Sequence, residues 1–122
     1  MNNKNIIILG ASSRPDKYSY KAVEMLSEHG YNPLPVHPSG IDVNGHKTFK
    51  SLVEITDQIH TISVYVNAKI SSSLREEILK TSPQRVIFNP GAENQELYEA
   101  CKSSNIEVEN ACTLVLLQTG SF

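Results

Sequence analysis

The chain has 122 residues, enough for one domain with a real hydrophobic core and too few for a second of useful size. It is 39% hydrophobic and 20% charged with a formal net charge of -2, a globular composition without the basic excess that would point to nucleic acid. No apolar run approaches the roughly 18 to 20 residues of a membrane span. The start Met1-Asn2-Asn3-Lys4 shows no cleavage-type pattern, and Cys101 and Cys112 suggest no disulfide framework, so a cytoplasmic protein with free thiols is expected.

Asn5-Ile6-Ile7-Ile8-Leu9 is a continuous apolar run closed by Gly10, which predicts a strand buried on both faces and central in its sheet. Ala22, Val23 and Leu26, with Tyr20 one turn earlier, predict a helix from Tyr20 to His29 that stops at Gly30. Asn32-Pro33-Leu34-Pro35-Val36 predicts a second strand, and its two prolines put it at an edge or in a partly paired position. Ser39 to Lys50 reads as a loop in which Val43-Asn44-Gly45-His46 makes a turn or small hairpin, followed by a helical turn around Ser51 to Ile55.

His60 to Val66 alternates and is rich in β-formers, predicting a third strand, after which Ser71 or Ser72 offers a cap for a helix carrying Leu74, Ile78 and Leu79. Arg85-Val86-Ile87-Phe88 predicts the fourth strand, Glu93 to Ser103 an amphipathic helix, and Ile106-Glu107-Val108 a short fifth strand. The final Leu114-Val115-Leu116-Leu117 run reads as packed. Regular alternation of strand and helix predicts one α/β domain over 1–122, a Rossmann-like doubly wound parallel five-stranded sheet with helices on both faces.

An open α/β sheet takes ligands outside the carboxyl ends of its strands, where the strand order reverses. The loop from Gly10 to Ser19 leaves the first strand at that edge. Gly10 and the small residues after it let backbone N–H groups approach a phosphate, the next helix adds its N-terminal dipole, and Arg14 and Lys17 add positive charge. Ser12 stands where a dinucleotide fingerprint has its second glycine, and Val36-His37-Pro38 ends the second strand without the acidic residue that binds a nicotinamide cofactor's ribose. His37 is suited to a phosphate or an adenine.

Gly10-Ala11-Ser12, Ser19-Tyr20, Gly30-Tyr31, Pro35-Val36-His37-Pro38, Gly45, Leu52, Asn89-Pro90-Gly91-Ala92-Glu93-Asn94 and Ala111-Cys112-Thr113-Leu114-Val115 follow one another in an order and spacing that resembles the stand-alone CoA-binding proteins. These are similar to the CoA-binding domain of the succinyl-CoA synthetase α-subunit. The resemblance covers essentially the whole chain. It implies coenzyme A or a short acyl-CoA as ligand, with the phosphates at Gly10, Ala11, Ser12, Ser13, Arg14 and Ser19 and the adenosine at Val36, His37 and Pro38. It also implies the pantetheine arm along Tyr65, Val66 and Asn67, although Val66-Asn67-Ala68-Lys69 departs from the prolines or basic residues frequent there in the family.

The four histidines lack metal-ligand spacing, Glu76 and Glu77 read as a solvated helix face, and Cys112 has no His-Asp arrangement that would activate it. No metal and no chemistry of the chain's own is expected, and Cys112 reads as core. The leading expectation is a binding module. The alternatives are the CoA-binding subunit of an acyl-CoA synthetase or ligase-type enzyme with a ligase-like partner chain, and a binder of NAD(P) or an adenine nucleotide. A homodimer rests only on the frequency of symmetric pairs.

Overall fold

A computed structural model describes residues 3–122; Met1 and Asn2, read above as a start without a leader pattern, lie outside the described residues. Five strands, β1 (Asn5–Leu9), β2 (Asn32–Val36), β3 (Thr61–Val64), β4 (Arg85–Phe88) and β5 (Glu107–Asn110), form one sheet in the order β2-β1-β3-β4-β5. Every pairing is parallel. The helices are α1 (Tyr18–Glu28), α2 (Ala68–Ser73), α3 (Arg75–Thr81), α4 (Gln95–Ser103) and α5 (Thr113–Gln118), with a 3-10 turn at Leu52–Glu54. This is the expected Rossmann-like architecture.

The period-2 geometry of a strand sends alternate side chains of one apolar run to opposite layers. Ile7 and Leu9 join Ile62, Val64, Val86, Phe88, Ile78, Leu97 and Cys101 under α3 and α4, whereas Ile6 and Ile8 join Val23, Leu26 and Leu117 under α1 and α5. A strand covered on both faces needs apolar residues at every position, and that is why β1 reads as an unbroken run.

The prolines of β2 have a positional reason. Backbone groups of Asn32 and Val36 bond toward β1, as in Asn32 N–H to the Lys4 carbonyl at 2.8 Å and Gly10 N–H to the Val36 carbonyl at 2.9 Å. Pro33 and Pro35 take the alternate positions, whose missing N–H groups face the open edge. Phe49 covers the end of that edge, donating to the Pro35 carbonyl and accepting from His37 N–H, both at 2.9 Å.

Several expectations are corrected. β1 is interior, but the middle strand is β3. β3 ends at Val64 rather than Val66, because the chain turns away there to start α2. The cap of α2 is Asn67, whose side chain accepts from Ile70 N–H at 2.9 Å, and not Ser71 or Ser72. Ser71 lies inside α2, buried, with its Oγ receiving Asn94 Nδ2–H at 2.8 Å. The helical register breaks at Leu74, so the expected single helix is two. In the last apolar run only Leu117 is buried, and Val115 is 51% exposed.

Candidate ligand-binding cleft

A cleft of about 640 Å³ opens beyond the carboxyl ends of β1, β2 and β3. It lies where the strand order reverses, with β2 on one side of β1 and β3 on the other, the place where loops from neighbouring strands must part. Leu9, Val36 and Val66 line it from the sheet side, Leu52 from the 3-10 turn, and Ile70 and Leu74 from α2 and its end. Its polar lining includes His37, Lys50, Ser51, Asn67 and Glu77.

Gly10 is what allows the floor. Its φ is +89°, and a Cβ there would lie 2.7 Å from Val66 Cγ1 and 3.3 Å from the Val66 backbone nitrogen. Only glycine suits a left-handed turn pressed against the next strand. The turn also spends backbone donors internally, since the Gly10 and Ala11 N–H groups both point to the Val36 carbonyl, at 2.9 and 3.1 Å. Ser12 N–H goes to the buried Ser19 Oγ at 3.0 Å, and Arg14 N–H to Ser12 Oγ at 3.1 Å.

The phosphate-cradle expectation is thereby narrowed to other donors. Among the described residues, the N–H groups of Ser13 and of the first turn of α1, Tyr18 to Tyr20, have no acceptor within the chain. The side chains of Arg14 and Lys17 are exposed, Arg14 Nε lying 3.7 Å from Asp16 Oδ1. Ala11, Ser12 and Ser19 therefore shape the loop from within, while Ser13, Arg14 and Lys17 stand at its exposed rim.

His37 is half-buried at the cleft, and its Nδ1 accepts Ser39 N–H at 3.0 Å. That hydrogen-bond pattern assigns the proton of the neutral ring to Nε2, leaving Nε2 a donor. Lys50 comes from the loop beyond the hairpin, where Val43 and His46 exchange backbone bonds of 3.0 and 2.8 Å around Asn44 and Gly45, both at positive φ. The stem of Lys50 crosses Gly40, where a Cβ would stand 2.9 Å from Lys50 Cε. Tyr20 Oη donates to Asn44 Oδ1 at 3.3 Å, tying this hairpin to α1.

Of the sequence-predicted residues, Gly10, Val36, His37, Pro38, Tyr65, Val66 and Asn67 come together around the cleft, whereas Ala11, Ser12, Ser13, Arg14, Lys17 and Ser19, in the loop that follows Gly10, do not line it. Sequence reasoning missed Lys50, Leu52, Ile70, Leu74 and Glu77 as cleft residues. Leu52 stood in the family pattern without a role, and Lys50, Ile70, Leu74 and Glu77 carried no signal in the sequence.

Tyr65 contributes less than its position suggests. Its ring packs with the α1/α5 layer and its hydroxyl is buried with no partner at hydrogen-bond geometry, the nearby hydroxyls of Ser63 and Thr113 being committed to each other at 2.8 Å. Burial pushes its pKa up to about 12, with those two hydroxyls opposing the rise. Cys112 is half-buried just before α5 rather than fully in the core; Cys101 is buried, and desolvation pushes its thiol up. No helix of the described residues is long and apolar enough to cross a membrane, and no group of three metal-ligating side chains occurs among them.

The sequence profile of the CoA binding domain matches residues 4–118. The chain belongs to the CoA-binding domain family. Among relatives of this CoA-binding domain is the uncharacterized protein YneT of Bacillus subtilis strain 168, 30% identical over 82% of the chain and 74% of YneT. The alpha subunit of the ADP-forming acetate-CoA ligase I of Pyrococcus furiosus is 33% identical over 62% of the chain, a match that spans 18% of the subunit. A crystal structure of an uncharacterized protein superposes over the full length of both chains with a TM-score of 0.90 and 36% identity. The CoA-binding domain thus has relatives of its own size and one within a much larger ligase subunit.

Proposed function

We propose that the cleft binds coenzyme A or a short acyl-CoA and that the chain acts as a binding module without chemistry of its own. The observation that carries this reading is the cleft at the strand-order reversal of a chain in the CoA-binding domain family. Adenosine rests against Val36, His37 and Pro38, where His37 Nε2–H and the Lys50 ammonium offer donors to phosphate oxygens. The diphosphate lies on the rim of the first loop, against Ser13 N–H, the first turn of α1, Arg14 and Lys17, over a frame kept by Gly10, Ala11, Ser12 and Ser19. The pantetheine arm follows Tyr65, Val66 and Asn67 outward.

The support for a module without chemistry is the character of the groups around the cleft: an aromatic hydroxyl with a raised pKa, one histidine bound through Nδ1 to its own loop, one carboxylate, Glu77, and, among the described residues, no base hydrogen-bonded to a nucleophile there. A second reading is that the domain supplies CoA to reacting groups on a partner chain. It is favoured by the match that occupies 18% of a ligase subunit.

The test is a thermal-shift titration with CoA, acetyl-CoA, dephospho-CoA, NADH and ATP. A ligand at about 100 times its dissociation constant adds roughly 2.7 kcal/mol, a shift of several degrees for a domain of this size. The expected result is a shift with CoA that shrinks for dephospho-CoA and vanishes for NADH. A shift with NADH or ATP alone would overturn the assignment. Thioester cleavage by the pure chain would overturn the absence of chemistry.

A further inference from the structure

Among the described residues Glu77 is the one carboxylate lining the cleft, and nothing proposed above uses it. It is half-buried on α3, and its carboxylate takes part in no ion pair and accepts no hydrogen bond among the described residues. The same cleft is lined by the apolar Leu52, Ile70 and Leu74, with Ile70 45% exposed. Apolar lining of this kind suits a heteroaromatic ring, which buries the exposed isoleucine and leaves its polar edge to be met by a side chain.

A carboxylate is out of place beside a phosphate, because like charges repel and each oxygen can only accept. In a cleft that takes a polyanion it suits an uncharged part of the ligand that offers a donor, and the apolar lining favours the base. We infer that Glu77 selects the base, accepting a hydrogen bond from the exocyclic amine of a 6-aminopurine and repelling the 6-oxo group of hypoxanthine or guanine. This rests on the reading that the cleft takes the adenosine end of CoA, with Lys50 and His37 on the phosphate side. A half-buried acceptor left facing an oxo group is the kind of mismatch by which a polar site rejects a near-isosteric ligand.

Calorimetric titration of the full chain with adenosine 3′,5′-bisphosphate and inosine 3′,5′-bisphosphate tests it, alongside CoA as reference. The native protein is expected to prefer the adenine compound by about tenfold or more. Glu77→Gln carries both a donor and an acceptor, so the preference should fall to within about threefold, mainly through a gain in inosine affinity. Such a gain is not an effect that a merely structural first-turn glutamate would give. Should Glu77→Gln unfold, Glu77→Asp keeps the charge but draws it back from the cleft, and is expected to weaken adenine binding without improving inosine. Equal affinities for the two bases in the native protein, or an unchanged preference in Glu77→Gln, overturn the inference while CoA binding stands. Failure of CoA itself to bind overturns both this inference and the reading on which it rests.

Discussion

On one face of the sheet β3 and β4 present Ile62, Val64, Val86 and Phe88 to α3 and α4; on the other face the same strands present Ser63 and, next to β4, Asn89 to α5. The first layer is held by contact area, which has no direction. In the second, Asn89 Nδ2 donates to Ser63 Oγ and to the Val64 carbonyl, both at 2.9 Å, while Asn89 Oδ1 accepts Thr113 N–H at 2.9 Å. That network fixes the start of α5 to the ends of β3 and β4. The difference teaches that α3 can be placed by packing, but an exposed short helix such as α5 needs directional bonds.

The largest expected effect breaks the apolar side. Phe88 is fully buried, so Phe88→Ala should cost about 3–5 kcal/mol in denaturant unfolding, and a loss under about 1 kcal/mol would show that this layer collapses readily. Asn89→Ala breaks the polar side by stranding Thr113 N–H and uncoupling Ser63, with an expected loss of about 2–4 kcal/mol. Hydrogen exchange should then rise first in α5; uniform exchange across the sheet would contradict the anchoring role.

Gly10→Ala strikes where both layers meet the cleft, and the positive φ together with the contact at 2.7 Å predicts a loss of about 1–3 kcal/mol and weakened CoA binding. Tyr65→Phe should stay within about 1 kcal/mol of the native chain, because the hydroxyl removed is buried without a partner. A larger loss would mean that the hydroxyl belongs to the Ser63–Thr113 network after all.

The smallest effect is one of pH. Desolvation first, and then the Arg85 guanidinium, hold the His60 pKa below its usual 6.5, with Glu107 opposing. The unfolded chain therefore binds more protons just below pH 6.5, and stability is full above that value and falls as the pH drops through it toward the lower folded pKa. In His60→Gln the melting temperature should depend less on pH between about 7.5 and 5.5. Identical slopes in the two proteins would remove His60 from the account.

Much of this was written locally. The apolar run of β1, the prolines of β2 and the Asn44-Gly45 turn each follow from backbone geometry that the residues themselves impose. The cap of α2 did not, since Asn67, Ser71 and Ser72 are all competent caps. The choice follows Asn94, whose amide bonds to Ser71 Oγ, Ser72 Oγ and the Ala68 carbonyl and thereby commits those serines to the helix body. Val115 reads as core by hydropathy and turns out exposed, because α5 meets the sheet through a narrow stripe ending at Leu117.

The candidate site divides the same way. The sequence by itself determined the alternation of strands and helices, the glycine turn after β1 and the family pattern around it, because strand periodicity, left-handed turns and motif spacing are properties of neighbouring residues. Only the tertiary structure decided that Gly10 and Ala11 use their N–H groups on Val36, and that Lys50 and Glu77 share one cleft with His37. Those facts depend on which chain segments the sheet order brings side by side, and contacts between residues tens of positions apart leave no period in the sequence.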